Sequence, residues 1–214
     1  MLKRTAIIIA PHPDDEVISC AGLIQRLHKV DFLLKVVFIT DGEACYNHFH
    51  QIGPESGSIK QIRREESQIA QRIFGIDPEN SLWCGLPDGQ LASEENTKLV
   101  RKILTKIISD FSPQLVIAPN SKDGHLDHAT IGDAIIQISE NRKRGHTLMY
   151  QLWPSSKGKT NKPTAVIRLT EEEIRLKNRA LDCFKSQFMP IRESFPPVIQ
   201  RNVISVALEK FSIL

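Results

Sequence analysis

The feature that most constrains this chain is a repeated alternation of continuous apolar runs with segments of helical spacing. Thr5–Ala10 (TAIIIA) and Leu33–Thr40 (LLKVVFIT) are β-branched and aliphatic along most of their length. Such a run has no polar face to turn to water, so it reads as a strand buried on both sides. Between them Val17, Leu23, Ile24 and Leu27 recur at helical spacing. Strand, helix and strand in that order make a parallel crossover unit. The pattern continues. Residues 59–74 are charged and amphipathic and stop at Gly75. Residues 81–84 are a short strand. Ser93, followed by Glu94, Glu95 and Asn96, is an N-cap for a helix reaching about Phe111. Residues 115–118 are a strand closed by Pro119, 127–140 a helix and 148–152 a strand. Thr170 to Glu173 is a capping box ahead of a helix reaching about Gln187. Residues 202–208 are a last strand. The expected fold is α/β, with a mostly parallel sheet covered on both faces, as one domain over residues 1–214.

Composition removes several function classes. Lys+Arg 28 against Asp+Glu 25 leaves a formal charge of +3, too weak a bias to argue for nucleic acid as a partner. No apolar run approaches the roughly 18–20 residues of a membrane helix. The basic start Met1-Leu-Lys-Arg is followed by only a short apolar run before Pro11, too short for a signal peptide. Cys20, Cys45, Cys84 and Cys183 form no CxxC pair, which reads as reduced thiols in a cytoplasmic protein.

Chemistry is concentrated in two short motifs. Pro11-His12-Pro13-Asp14-Asp15-Glu16 follows the first strand, and Asp123-Gly124-His125-Leu126-Asp127-His128 follows the strand at 115–118. In open parallel sheets ligands bind beyond the carboxyl ends of the strands, so the two loops share one edge. Alone, the first motif also reads as an acidic helix start and the second as a solvated loop with an Asp N-cap. Together they offer two histidines and a carboxylate, the ligand set of a catalytic zinc, and leave over a carboxylate and a histidine for proton transfer.

With these residues the chain resembles the PIG-L/LmbE-like zinc-dependent N-deacetylases, which remove the acyl group from N-acetylglucosamine-type sugars on a Rossmann-like fold. Further elements agree in order: Thr40-Asp41-Gly42-Glu43, then Arg63-Arg64-Glu65-Glu66 with Ala70 and Gly75, then Leu86-Pro87-Asp88-Gly89. Lys177, Ala180-Leu181 and Ser186-Gln187 follow. The resemblance covers roughly residues 5–190. It implies a Rossmann-like three-layer sandwich and one Zn2+ per chain, other divalent metals being compatible. His12, Asp15 and His128 are the implied metal ligands, and Asp14 the general base. Spacing alone leaves open which of Asp14 and Asp15 holds the metal. His125 is implied to stabilise the oxyanion or protonate the leaving amine, with Asp127 tuning it. Arg63 or Arg64, and Asp88, match positions near the substrate. The implied partner is a small sugar conjugate, and a homo-oligomer is compatible with the sequence.

Two other readings stay open at this level. A Rossmann-type nucleotide or sugar-phosphate binding protein without catalysis lacks its G-x-G-x-x-G after the first strand. A zinc amidase acting on another amide, such as a thiol conjugate, would share the metal site. The segment 42–57 reads as a loop suited to a lid, holding His48 and His50. Residues 141–169 carry seven basic side chains and no acid. If that segment faces the metal, it selects anionic conjugates.

Overall fold

A computed structural model describes residues 4–47, 56–155, 163–190 and 196–214. Its elements are β1 (Thr5–Ala10), α1 (Asp15–Lys29), β2 (Leu33–Thr40), α2 (Ser56–Ile73), β3 (Ser81–Leu86), α3 (Glu94–Phe111), β4 (Leu115–Pro119) and α4 (Leu126–Glu140). After these come β5 (His146–Tyr150), β6 (Ala165–Arg168), α5 (Glu171–Leu181), α6 (Lys185–Phe188) and β7 (Leu208–Ile213). The strands form one sheet in the order β3-β2-β1-β4-β5-β7-β6. The first five are parallel, with Thr5 opposite Leu33 and Ala6 opposite Leu115. β7 runs antiparallel to both of its neighbours.

Alternation along β1 explains the layers. Ala6, Ile8 and Ala10 join one apolar cluster with Val17 and Ile24 of α1, Ala70 of α2 and Leu181 of α5. Ile7 and Ile9 join a second with Val100 and Leu104 of α3 and Ile131 and Ile135 of α4. Successive strand residues face opposite sides, so one unbroken apolar run feeds both cores. Ile7, Ile8 and Ile9 are fully buried, each stabilising the fold by roughly 1.5–3 kcal/mol relative to exposure.

This order fixes where a ligand can go. The chain runs outward from β1 to β2 and β3, then returns to place β4 on the other side of β1. The loops after β1 and β4 therefore diverge at the topological switch point, where open α/β sheets form their binding crevice.

Some sequence expectations shift. The strand expected at 148–152 begins at His146 and ends at Tyr150. The last strand is Leu208–Ile213 rather than 202–208, and Arg201–Val203 forms a single 3-10 turn. The helix after Thr170 ends at Leu181, where Cys183 N–H turns back to Ala180 O and sends the Phe184 ring fully into the core. β6 has no counterpart in the sequence reading. His48, His50, Lys157, Lys159 and Lys162 lie outside the described residues. No helix among the described residues is long and apolar enough to cross a membrane.

Candidate metal centre and active site

β1 delivers the first motif through a stiff turn. Thr40 donates both its backbone N–H and its hydroxyl to Pro11 O, at 3.0 and 2.9 Å, tying the turn to β2. Asp14 is the N-cap of α1 and has φ 131°, a conformation L side chains seldom adopt. Such backbone persists only where its surroundings over-determine it. Here Asp14 O accepts the first helical N–H bonds from Val17 and Ile18. Asp14 N–H donates to Glu16 Oε2 at 3.0 Å, and buried Glu16 is held in turn by Ser67 Oγ at 2.9 Å.

β4 delivers the second motif. His125 is the N-cap of α4 and accepts the Asp127 N–H at Nδ1, 3.3 Å away. Asp127 and His128 follow in the first turn and are fully buried.

The two loops meet. Asp15 Oδ2 lies 3.3 Å from His12 Nδ1 and 3.2 Å from His128 Nε2, and accepts the His12 N–H at 2.9 Å. His12 Nε2 faces Asp88 Oδ1 at 3.0 Å and Asp127 Oδ2 at 3.3 Å. The His12 ring meets His125 edge-on with centroids 4.9 Å apart. His12, His125 and His128 offer ring nitrogens within 4.8 Å of one another, and His12, Asp88 and Asp127 likewise offer one donor atom each.

These donors fit a divalent cation. Neither ring nitrogen of buried His128 completes a well-formed hydrogen bond, although carboxylates stand at 3.2 and 3.5 Å. Buried polar atoms of this kind call for a ligand that the protein does not itself supply. The charge argument agrees. Burial opposes a proton on His12, yet hydrogen bonds to Asp127, Asp15 and Asp88 raise its pKa well above the ordinary value. Burial also opposes charge on His128, and the charge of Asp15 lifts it to about 9. Carboxylates that pull protons this strongly onto histidines demand positive charge, and imidazole with carboxylate is a donor set for transition metals.

Asp123 supports the centre from behind. Its Oδ2 stands 3.5 Å from His128 Nδ1 and accepts the N–H groups of Leu152 (2.7 Å) and Trp153 (3.1 Å). Its Oδ1 accepts the His125 N–H at 2.9 Å. A carboxylate behind a ligating imidazole is the usual device for orienting it. The role of Asp123 was missed from sequence, although a carboxylate two and five residues before two histidines was visible.

Asp14 stands beside this cluster, paired with buried Arg63, whose Nη2 is 3.0 Å from Asp14 Oδ2. Burial raises the Asp14 carboxyl above its ordinary range, and Arg63 opposes the shift. Burial lowers the His125 pKa, with His12 and His128 adding to the effect. The carboxylate of Asp127 is fixed by the Gly89 (2.8 Å) and Leu91 (3.0 Å) N–H groups and touches His12, not the His125 ring. Its influence on His125 is through space.

A cavity of about 300 Å3 opens onto His12, Asp14, Asp15 and His125, with Cys45, Trp153, Gln187, Val198 and Ile199 among its walls. The expected substrate contacts divide. Arg63 reaches the cavity, but its guanidinium is engaged by Asp14, Pro13 O and Gly42 O, so it braces the turn after β1 instead of standing free for a ligand. Arg64 is outside the lining: it forms a fork to Asp41 (2.7 and 3.0 Å) and lies over the Trp83 ring. Asp88 belongs to the His12 cluster and also accepts the Ala44 N–H at 2.8 Å. Arg142, Lys143 and Arg144 precede β5, at the opposite end of the sheet, so this part of the basic segment does not face the centre.

Comparisons with known proteins bear on the family and the fold. Residues 7–139 match the PIG-L family, described as GlcNAc-PI de-N-acetylase. A probable N-acetyl-alpha-D-glucosaminyl L-malate deacetylase 2 of Bacillus subtilis is 30% identical over 144 residues, 67% of this chain and 64% of that protein. The diacetylchitobiose deacetylase of Thermococcus kodakarensis is 29% identical over 133 residues, 60% of this chain and 46% of that protein. The matched stretches thus span less than two thirds of these relatives. The structure of N,N'-diacetylchitobiose deacetylase from Pyrococcus horikoshii superposes with a TM-score of 0.76, at 24% identity, covering 99% of this chain and 84% of the other. The match over both motifs and the strands that carry them leads to one conclusion: the chain belongs to the PIG-L family.

Proposed function

We propose that this chain is a zinc-dependent hydrolase that removes the N-acetyl group from an N-acetylglucosamine-type sugar conjugate. The observation that carries the reading is the convergence of His12, Asp15 and His128 around one carboxylate oxygen, with Asp14 and His125 on the same cavity. Family membership and the names of the relatives support the reaction class. In this reading His12, Asp15 and His128 hold the ion. Zn2+, when bound there, would polarise the amide carbonyl and lower the pKa of an attacking water toward about 7.

The chain's own residues do the rest. Asp14 takes a proton from the attacking water at its carboxylate and later returns it toward the amine. A positioned base of this kind contributes about 10²–10⁴-fold. Arg63 keeps that carboxylate aimed. His125 Nδ1 is occupied by the Asp127 N–H, which leaves the proton of the neutral ring on Nε2. Nε2 then donates to the carbonyl oxygen as negative charge develops on it, or to the departing nitrogen. Amide and water leave as acetate and free amine. Trp153 offers a flat apolar surface at the cavity wall against which a sugar ring packs.

The test is release of acetate and free amine from inositol-linked, malate-linked, nucleotide-linked and lipid-linked N-acetylglucosamine. Wild type, chelator-treated wild type reloaded with Zn2+, and Asp14→Ala are compared. The expected result is turnover of at least one conjugate, abolished by chelation, restored by Zn2+ and lost in Asp14→Ala, which still binds the metal. Full activity in Asp14→Ala or in metal-free protein would overturn the mechanism.

A further inference from the structure

A second open cleft lies away from the metal donors. It lies at the amino ends of β4 and β5, where the carboxyl ends of α3 and α4 diverge, and has a volume of about 820 Å3. Arg101, Arg142, Lys143 and Arg144 line it, and no acidic side chain does. Among the described residues none of these four forms an ion pair. Arg101 donates to Gln137 Oε1 at 3.1 Å, and Arg142 to Thr147 Oγ1 at 3.3 Å and Pro113 O at 2.7 Å, all neutral acceptors.

One explanation is that these cations only neutralise the two helix ends. Magnitudes argue against it. Each helix end carries about half a negative charge, so two ends account for about one of the four cations. The cleft is also built. Gly145 has φ +87°, and a Cβ there would run into Arg142 Nη2 and the carbonyl oxygens of Gln114 and Pro113. Glycine leaves the space that Arg142 Nη2 occupies. Burial lowers the Arg142 pKa and no carboxylate offsets this. The remaining walls offer hydroxyl groups from Thr105, Ser109 and Ser112, amides from Gln137 and Asn141, and apolar surface that includes Ile138.

We propose that this cleft is a second ligand site, separate from the metal centre, for a soluble phosphate monoester with an apolar or aromatic portion. Arg142 and Arg144 take the phosphate, for which the guanidinium fork is suited. The hydroxyls complete its hydrogen bonds, and the apolar wall takes the remainder. A cleft of this volume is within the range of small-molecule sites and accommodates a mononucleotide. The site does not depend on the deacetylase reading, since it shares no residue with the metal cluster.

The experiment is calorimetric titration of the full chain with adenosine 5'-monophosphate and, separately, with adenosine, at fixed ionic strength. Wild type is compared with a Lys143→Gln/Arg144→Gln variant, which removes two exposed charges that make no structural hydrogen bond, and with Arg142→Gln. The expected result is saturable binding of the monophosphate, at least tenfold weaker binding of adenosine, and at least tenfold loss of monophosphate affinity in the double variant. No binding to wild type overturns the proposal. So does unchanged affinity in the double variant, which would place the phosphate elsewhere, the metal centre included.

Discussion

Arg63 Nη2 lies 3.0 Å from Asp14 Oδ2, and both side chains are almost wholly buried. The arginine comes from α2 and crosses over Gly42, whose missing Cβ leaves the space its Nη1 occupies. From there one guanidinium braces Gly42 O, Pro13 O and the carboxylate. The pair therefore couples a strained N-cap to the helix behind it. Breaking a buried pair from one side costs roughly 3–5 kcal/mol, because the partner charge stays buried. Lysine offers its donors from one nitrogen and lacks the planar fork whose two separate nitrogens reach these acceptors. Arg63→Lys should keep the fold with a lower Tm. It should also reduce kcat by up to about 10²-fold with little change in KM, as misplacement of a catalytic group does. Thermal unfolding and steady-state kinetics read both. An unchanged kcat would mean that Asp14 needs no such brace.

Asp123 provides the second prediction. Its carboxylate faces His128 from behind and also anchors Trp153 and His125. Removing an outer partner of a ligating histidine costs 10–100-fold in metal affinity. Asp123→Ala should lose metal to a competing chelator in that range, while His12→Ala and His128→Ala lose more. Metal content measured across a chelator series separates the three. Equal retention in Asp123→Ala and wild type would remove Asp123 from the metal site.

The core of the sheet and most of the site were legible because both are written locally. β1 and β2 are continuous apolar runs, and the N-caps at Ser93 and Thr170 carry their own side-chain signals, which the structure shows as bonds to Asn96 N and Glu173 N. The two motifs sit beside strand ends, so topology alone brings them together. The missed elements are those whose burial is decided by partners far along the chain. β6 is an edge strand with alternating half-exposed residues, and β7 contains Glu209-Lys210, which reads as surface. Glu209 is buried where Lys177 and the Gly22 and Leu23 N–H groups meet it. Arg63 and Asp88 were expected to contact substrate, but Arg63 donates to Gly42 O, Pro13 O and Asp14, and Asp88 meets His12 and the Ala44 N–H. No spacing rule shows those partners.

A third prediction concerns acid stability. Glu173 closes the capping box of α5 and accepts a fork from Arg26 of α1, at 2.9 Å to each oxygen. Hydrogen bonds from Arg26 hold its carboxyl down at about 2. A carboxyl whose folded pKa is depressed stabilises the fold above its unfolded value, and that stability is lost as pH falls through the folded value. The window therefore runs from about 4.5 down to about 2. The Arg26 side chain is partly exposed, so solvent screening limits the ion pair to about 1 kcal/mol or less, with the cap adding about as much. Glu173→Gln should lower Tm at pH 7, and its Tm should converge on that of the wild type toward pH 2. A constant gap across that range would show that the stabilisation does not depend on the charge of Glu173.

The last prediction addresses the pair that the sequence hid. Lys177 Nζ donates to Ile18 O at 2.7 Å and to Glu209 Oε1 at 3.1 Å. Glu209 in turn accepts the Gly22 and Leu23 N–H groups of α1 at 2.8 and 3.0 Å. One ion pair thus fastens β7 and α5 to the middle of the helix whose first turn carries Asp15. Lys177→Met leaves Glu209 charged and buried, and should cost roughly 3–5 kcal/mol in denaturant unfolding. Glu209→Gln strands the ammonium in the same way. The double variant leaves no unpaired charge, and glutamine still accepts one helix N–H, so its cost should fall below the sum of the singles. A coupling of about 1–3 kcal/mol is expected for residues in direct contact. Additive costs would mean that each charge is satisfied by the α1 backbone alone, and that the two meet without stabilising one another.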